Sequence, residues 1–593
     1  MRYFTVLSTL VLFLFGCGDN ENKSTTPKKP EEKPQVFEIE KGGEVDPIAS
    51  SDAKKGGTYV SWGSSFPKSL NYYLDPNSLS NEVTGLMFEG LVTLHSTKNE
   101  PVGNLAQSWS VSDDGMEFSF KIHPKAKWSD GKDITANDIQ FYYDVIMNPK
   151  NLTSVFRVGL KRFERPEVVS PKQIKIRAKS IHWKNFWEAA GLMAFPKHVW
   201  EGKDFNKINF DFPVVSGPYE VGETKKGRSL KLKRRKNWWG QVKKYNQYKY
   251  NFDTIQYRFI EDRVKALELF KKGDLDAYAI YTSKIWMKQT HFDSVKNGWV
   301  VRQKIYNKEP LGYQGLAINM RRPLYQDIRV RKALCYLLDR KVLNDKYMYN
   351  QYFLLNSYYP DLYLNNKNPN AELFEYNPEK ARSLLKEAGW LVGDDGILTK
   401  EGNKLKVNFL TYSSDQRHLN FYCESLKSVG IQTNINLLSA SSVKKRLDQH
   451  DFDMFWSAWG ASRLRDPESS WHSSTADQKA SFNYPGFKSK KVDELIEKQK
   501  TEMSLDKRNQ ILKEIDLELT KEIPYVLLWQ SGFHRMLYWN KFGTPKTVFD
   551  KFNREDSAVA YWWVDENKKV LLEKAKKNNE SLPKLSESVH YSE

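Results

Sequence analysis

At 593 residues the chain is too long for a single hydrophobic core, and about two to four domains are expected. Hydrophobic residues at 40% and aromatics at 14% exclude an intrinsically disordered chain. The 18 Trp, 31 Tyr and 32 Phe are enough to line a cavity as well as a core. The formal charge of +19 raises nucleic acid as a partner, but only residues 231–236 (KLKRRK, just before Asn237-Trp238-Trp239) form a dense basic run. The rest of the excess is scattered with no nucleic-acid fold signature, so no nucleic acid is expected, and the run reads as a solvated strand or hairpin face.

Residues 1–17, MRYFTVLSTLVLFLFGC, have a positive start at Arg2 and an apolar stretch over 4–15 too short to span a bilayer. The stretch ends in Leu14-Phe15-Gly16-Cys17, which resembles a bacterial lipobox, where the cysteine is acylated and becomes the mature N-terminus. A plain signal peptide or an uncleaved anchor stays open. Lipid on Cys17 would tether the protein to a membrane surface in the periplasm or cell envelope. Residues 18–55, rich in Lys, Glu, Pro and Thr, read as a flexible tether. Only Cys335 and Cys423 remain, and whether they pair is open. With no Cys-x-x-Cys or His-x-x-x-His spacing, neither a metal site nor a cofactor is expected.

Order is expected from residue 56, where a strand breaks into the small-residue lip Gly63-Ser64-Ser65-Phe66. Residues 80–94 have helical spacing. Asp114-Gly115, between alternating runs, predicts a hairpin. Thr135 and Asp138 have capping-box spacing ahead of a helix. Asn377, Pro378 and Gly389 frame another helix, and residues 407–437 read as strand, helix, strand, which implies a covered α/β sheet. Residues 452–459 are an apolar strand running into Gly460, Ala461 and Ser462, then a charged turn through Arg463, Arg465, Asp466 and Pro467. Such a strand end can accept an extended peptide by strand addition; a core strand followed by an ordinary loop is the alternative. Two helices are expected over 493–519 and a buried strand over 523–529. The tail, 565–593, is expected to be a peripheral helix fading into disorder.

Short motifs stand along the chain: Phe88-Glu89-Gly90-Leu91, Trp128-Ser129-Asp130-Gly131, Ser216-Gly217-Pro218-Tyr219, Lys272-Gly273-Asp274-Leu275-Asp276 and Asp451-Phe452-Asp453-Met454. In order and spacing this set resembles family 5 bacterial solute-binding proteins, the oligopeptide- and dipeptide-binding subunits of ABC importers. The chain is most similar to the branch carrying long peptides or peptide-nucleotide antibiotics. This resemblance, over residues 56–564, implies a mixed α/β, two-lobe fold of the type II periplasmic-binding-protein kind that closes on ligand like a clamp. The implied pieces are the lobe 1 core at 56–77, 210–300 and 521–564, an inserted subdomain at 78–209, and lobe 2 at 301–520.

By the same resemblance, Gly63, Ser64, Ser65 and Phe66 face the cleft from lobe 1, and Ala458, Trp459, Gly460 and Ala461 pair with a peptide backbone from lobe 2. Peptide binders of the family carry an Asp directly after this segment for the ligand's α-ammonium; here it is Ser462. Either Asp466 reaches back to do that job, or the ligand is not held by a free amino terminus. Arg463 and Arg465 favour the second reading, through an anionic ligand group, unless both simply face solvent. Arg417, Trp456, Trp471, Asn483 and Tyr484 are further candidates for the cleft, with a core role equally open to the aromatics. Peptide or peptide-like solute, ABC permease and ATPase subunits are the implied partners of a monomer.

No catalytic motif stands out: G-x-S-x-G, H-E-x-x-H and a P-loop are all missing, and the ten histidines are scattered. The chain therefore reads as a binder, not an enzyme. The alternatives are the same fold holding a sugar, opine or metal chelate, or a fold reused as an enzyme or cell-surface interaction protein.

Overall fold

The computed structural model describes residue 40 and residues 43–592. The expected signal sequence, the acylated Cys17 and most of the tether lie outside the described residues. Two lobes are built around separate sheets and separate cores.

Lobe 1 opens with β1 (Thr58–Gly63) and helix α1 (Ser78–Met87). The helical pattern at 80–94 breaks earlier than its spacing suggests, because the chain turns extended at Phe88 and a short strand takes Val92–Leu94. The expected hairpin is β2 (Ala106–Val111) and β3 (Glu117–Ile122), paired antiparallel, with Gly115 at φ +69° in the connecting turn. Helix α2 (Ala136–Met147) carries the expected capping box, Thr135 with Asp138. Strands β4 (Tyr219–Lys225), β5 (Ser229–Arg234) and β6 (Thr254–Phe259) follow, and the sheet order is β1-β6-β5-β4 with β1 parallel to β6. The basic run is only partly a solvated face. Arg235 is buried and donates to the carbonyls of Val215, Ser216 and Gly217, while Trp239 Nε1 donates to buried Glu89.

The chain crosses to lobe 2 from β7 (Val300–Tyr306) to β8 (Tyr313–Ile318). Lobe 2 adds β9 (Lys406–Thr411), α3 (Arg417–Lys427), β10 (Gln432–Leu437) and β11 (Met454–Trp459). Then come α4 (Lys490–Thr501), α5 (Leu505–Glu522) and β12 (Tyr525–Leu527), in sheet order β10-β9-β11-β8-β12. The strand–helix–strand reading of 407–437 holds, with β9 and β10 parallel. The chain returns to lobe 1 through β13 (His534–Trp539), which pairs antiparallel with β7. Cys335 and Cys423 are both buried and free.

The tail departs from expectation. After helix α6 (Glu566–Asn578), residues 588–590 form β14 (Ser588–His590) parallel to β7, and His590 stacks on Tyr306 at 4.3 Å. An edge strand with unpaired N–H and C=O groups gives this segment a partner that few apolar anchors could not supply.

The outgoing crossing is tightly fitted. A Cβ built on Gly312 would lie 1.7 Å from the Trp459 carbonyl oxygen, so only glycine lets the segment pass the end of β11. Gly312→Ala is expected to lower stability by about 3 kcal/mol or more, read as a fall in the urea midpoint; an unchanged midpoint would show that the approach is looser than this.

Candidate functional site

Strand β11 is held unequally on its two sides. Strand β8 pairs with its whole length, from Tyr313 opposite Trp459 to Ile318 opposite Met454. On the other side, β9 pairs only at Phe409–Met454 and Leu410–Phe455. From Trp456 to Trp459 no strand covers that edge among the described residues, so main-chain groups there are open to an added strand. The lip beyond is open too: a Cβ on Gly460 would meet nothing within 4 Å, and Ala458 and Ser462 are exposed.

On lobe 1, Ser64 and Ser65 are exposed, while Gly63 is buried against the Phe259 ring. Phe66 is half-buried, stacked on Phe210 at 5.5 Å and edge-on to Phe259 at 4.9 Å, so it props the lip from below.

Several expected ligand groups have other work. Arg463 crosses to lobe 1, where its guanidinium donates to the carbonyls of His95 (3.0 Å) and Lys98 and to Asn99 Oδ1 (3.0 Å), and lies 4.0 Å over the Phe552 ring. It is a bridge between lobes, neither a solvent-facing side chain nor a free anion receptor. Arg465 pairs with Asp361 at 2.5 Å. Asp466 pairs with Lys184 of lobe 1 at 3.4 Å, so the carboxylate that one of the two readings would send back to an ammonium group already has a cationic partner. Arg417 pairs with Asp415 at 3.0 Å. Trp471 is 2% exposed, packed against Tyr313, Tyr358 and Phe487, and Asn483 is fully buried, bonded to the backbone of Phe487. Both belong to the core of lobe 2 because the turn after β11 folds back onto α4. Trp456 is half-buried on the opposite face of β11, its Nε1 donating to Gln314 Oε1 at 3.3 Å. Tyr484 packs on Trp459 at 5.2 Å.

Three carboxylates that sequence order could not bring together form part of lobe 1: Glu82 on α1, and Glu555 and Asp556 near the C-terminus. Tyr257 donates to Glu82 at 2.7 Å, Tyr281 donates to Glu555, and the Arg554 N–H donates to Asp556 at 3.0 Å. Burial, with the Asp556 and Glu555 charges adding to it, pushes Glu82 up to about 8. Burial and the Glu555 charge push Asp556 up to about 6.

A second seam joins the lobes away from β11. The Trp183 indole donates to Gln499 Oε1 at 3.0 Å, its backbone N–H to the Lys500 carbonyl at 3.0 Å, and Arg508 lies 4.3 Å over its ring. Beside it His182, Asp466 and Glu468 place possible metal-ligand atoms within 4.8 Å of one another. Lys184, Arg162 and Lys500 already pair with those carboxylates. The Lys184 N–H donates to His182 Nδ1 at 3.0 Å, which leaves the imidazole proton on Nε2, so the cluster is organised as an ion-pair network.

A two-lobe body, crossed by two strand connections and closed by side chains reaching over the seam, defines a clamp-type binding fold. The family model for bacterial extracellular solute-binding proteins, family 5, matches residues 100–481. The chain belongs to that family. It is similar to the probable peptide-binding protein YejA of Agrobacterium fabrum, 27% identical over 84% of this chain and 88% of the relative. It is also similar to the oligopeptide-binding protein AppA of Bacillus subtilis, 25% identical over 95% of this chain and 98% of the relative. The AppA structure, solved with a nonapeptide, superposes with a TM-score of 0.68 over 86% of this chain and all of that one. NikZ of Campylobacter jejuni, solved with Ni(L-His), gives 0.67 at 22% identity over 84% of this chain and 97% of that one. At such identity the structures establish a shared fold.

Two outcomes follow. Glu82 keeps its proton in the folded state to about pH 8 but loses it near its ordinary 4.5 when unfolded, so its contribution to stability falls as pH rises between those values. Glu82→Gln should therefore flatten the decline in Tm from pH 5 to 8; parallel Tm–pH curves for the two proteins would contradict the assignment. Arg463→Ala removes charge-assisted bonds worth about 1.5–3 kcal/mol from the closed form. A larger radius of gyration by small-angle scattering is expected, and an unchanged one would rule out a bridging role.

Proposed function

We propose that this protein captures a peptide or peptide-like solute between its lobes and delivers it to an ABC permease, held at the membrane by lipid on Cys17. One observation carries the peptide reading: the uncovered edge of β11 from Trp456 to Trp459, beside the open lip at Gly460, offers main-chain groups to an extended backbone. Main-chain recognition is indifferent to side-chain identity, which suits a carrier of varied peptides. Both AppA, whose solved complex holds a nonapeptide, and the relatives described as peptide-binding support the class. Among the described residues no helix is long and apolar enough to cross a membrane.

A second reading, a non-peptide solute such as a metal chelate, draws on the same strand end. Ser462 cannot neutralise an α-ammonium, and Asp466 is engaged by Lys184. A ligand gripped at its amino terminus is therefore disfavoured; an internal stretch of peptide, or a solute without an ammonium group, is favoured.

Native mass spectrometry of protein purified from its own host separates the readings. A co-purified mass that fragments as peptide supports the first, and a sugar, opine or chelate mass overturns it. Membrane attachment is tested apart: Cys17→Ser should release the protein into the soluble fraction, and undiminished membrane association would refute the lipid anchor.

A further inference from the structure

Five aromatic rings run in an unbroken row along one face of β11. Tyr412 meets Phe455 at 6.5 Å, Phe455 meets Tyr484 at 6.2 Å, Tyr484 meets Trp459 at 5.2 Å, and Trp459 meets Phe482 at 5.8 Å. The middle of the row is buried or half-buried, but its ends are not: Tyr412 is 59% exposed and Phe482 51%. Tyr412 is the first residue after β9, just past the point where β9 stops pairing with β11. Side chains alternate along a strand, so Phe455, Ser457 and Trp459 point to the face that carries the row. Ser457, the small residue between the two large rings, is buried, so the accessible parts of the row are its ends and the half-buried Trp459 and Tyr484.

Exposed aromatic surface beside an uncovered strand edge is uncommon unless something covers it. Resting on the peptide reading above, we propose that this row is a specificity subsite for an aromatic or large aliphatic side chain of the bound peptide. The geometry follows from strand addition. A peptide lying along Trp456 to Trp459 sets its side chains opposite those of β11 with Cβ atoms about 4.5–5.5 Å apart, so every second ligand residue meets the aromatic face. All five members of the row are aromatic and none carries a charge at neutral pH. A charged ligand side chain at that position would lose water and gain no ion-pair partner from the row, whereas an apolar ring gains offset or edge-on contacts. The hydroxyls of Tyr412 and Tyr484 allow a tyrosine in the ligand as well.

The test uses the whole protein and a pool of synthetic heptapeptides randomised at every position, with retained peptides sequenced by mass spectrometry after gel filtration. The wild type should enrich Phe, Tyr, Trp or Leu about threefold or more at one position or at alternate positions. A Tyr412→Ser, Phe482→Ser double variant, changed only at exposed side chains, should keep its Tm and still retain peptides, but without that preference. Retained peptides with no apolar preference, or a preference that persists in the double variant, would overturn the subsite and leave the peptide reading standing. Retention of no peptide by the wild type would sink both. A wild type that dimerises, and becomes monomeric in the double variant, would mean that the row meets a second copy of the chain, and would equally overturn the proposal.

Discussion

The structure turns on a single strand that is laddered fully on one side and only halfway on the other. β8, which covers the full side of β11, is also the strand that receives the chain from lobe 1, so the connection between lobes and the support of the open edge are one piece of backbone. Gly312 passes so close to the Trp459 carbonyl that the crossing is packed directly against the strand end. On the other side, β9 leaves at Thr411, and that early departure leaves the main-chain edge open, with Tyr412 exposed just beyond it.

Charge is distributed differently from what the composition suggests. The chain carries a formal +19, yet the basic groups nearest the strand end are spent on the protein itself: Arg463 on carbonyls of the opposite lobe, Arg465 on Asp361, Arg417 on Asp415. Arg463 and Arg465 would lose partly buried interactions on turning to a ligand, whereas the Arg417–Asp415 pair is more exposed. Meanwhile Glu82 and Asp556 gather with Glu555 on lobe 1, where burial and the neighbouring negative charges favour the protonated forms of Glu82 and Asp556. The electrostatic character of the lobes near their seam thus comes from residues far apart in sequence.

Local order was readable wherever short-range chemistry decides it. The Thr135–Asp138 cap, the Asn377 cap with Pro378 behind it, the Gly115 turn and the alternation through 407–437 depend on neighbours a few residues away, and all stand in the structure. The small-residue lips at 63–65 and 460–462 were likewise visible, since small residues cannot cover their own backbone. Trp471, open in sequence to either a cleft or a core role, takes the core one, and Asn483, a cleft candidate, is buried, because a tryptophan or an amide after a strand looks the same in sequence whether the next turn folds inward or out. Here it folds inward, onto the helix Lys490–Thr501. The tail was misread for a related reason: Ser588–His590 has no strand pattern of its own and is ordered only because an edge of the lobe 1 sheet lies free beside it.

What the amino-acid order determined alone is most of the local elements, because periodicity, caps and turns act over short distances; the two-lobe fold came with the family resemblance, and an open end to the strand at 452–459 was one of two readings. What only the tertiary structure decided is which side chains remain free at that end. Pairing across the seam commits Arg463 and Asp466 to the opposite lobe, and ring packing leaves Tyr412 and Phe482 uncovered, outcomes set by contacts between residues hundreds of positions apart.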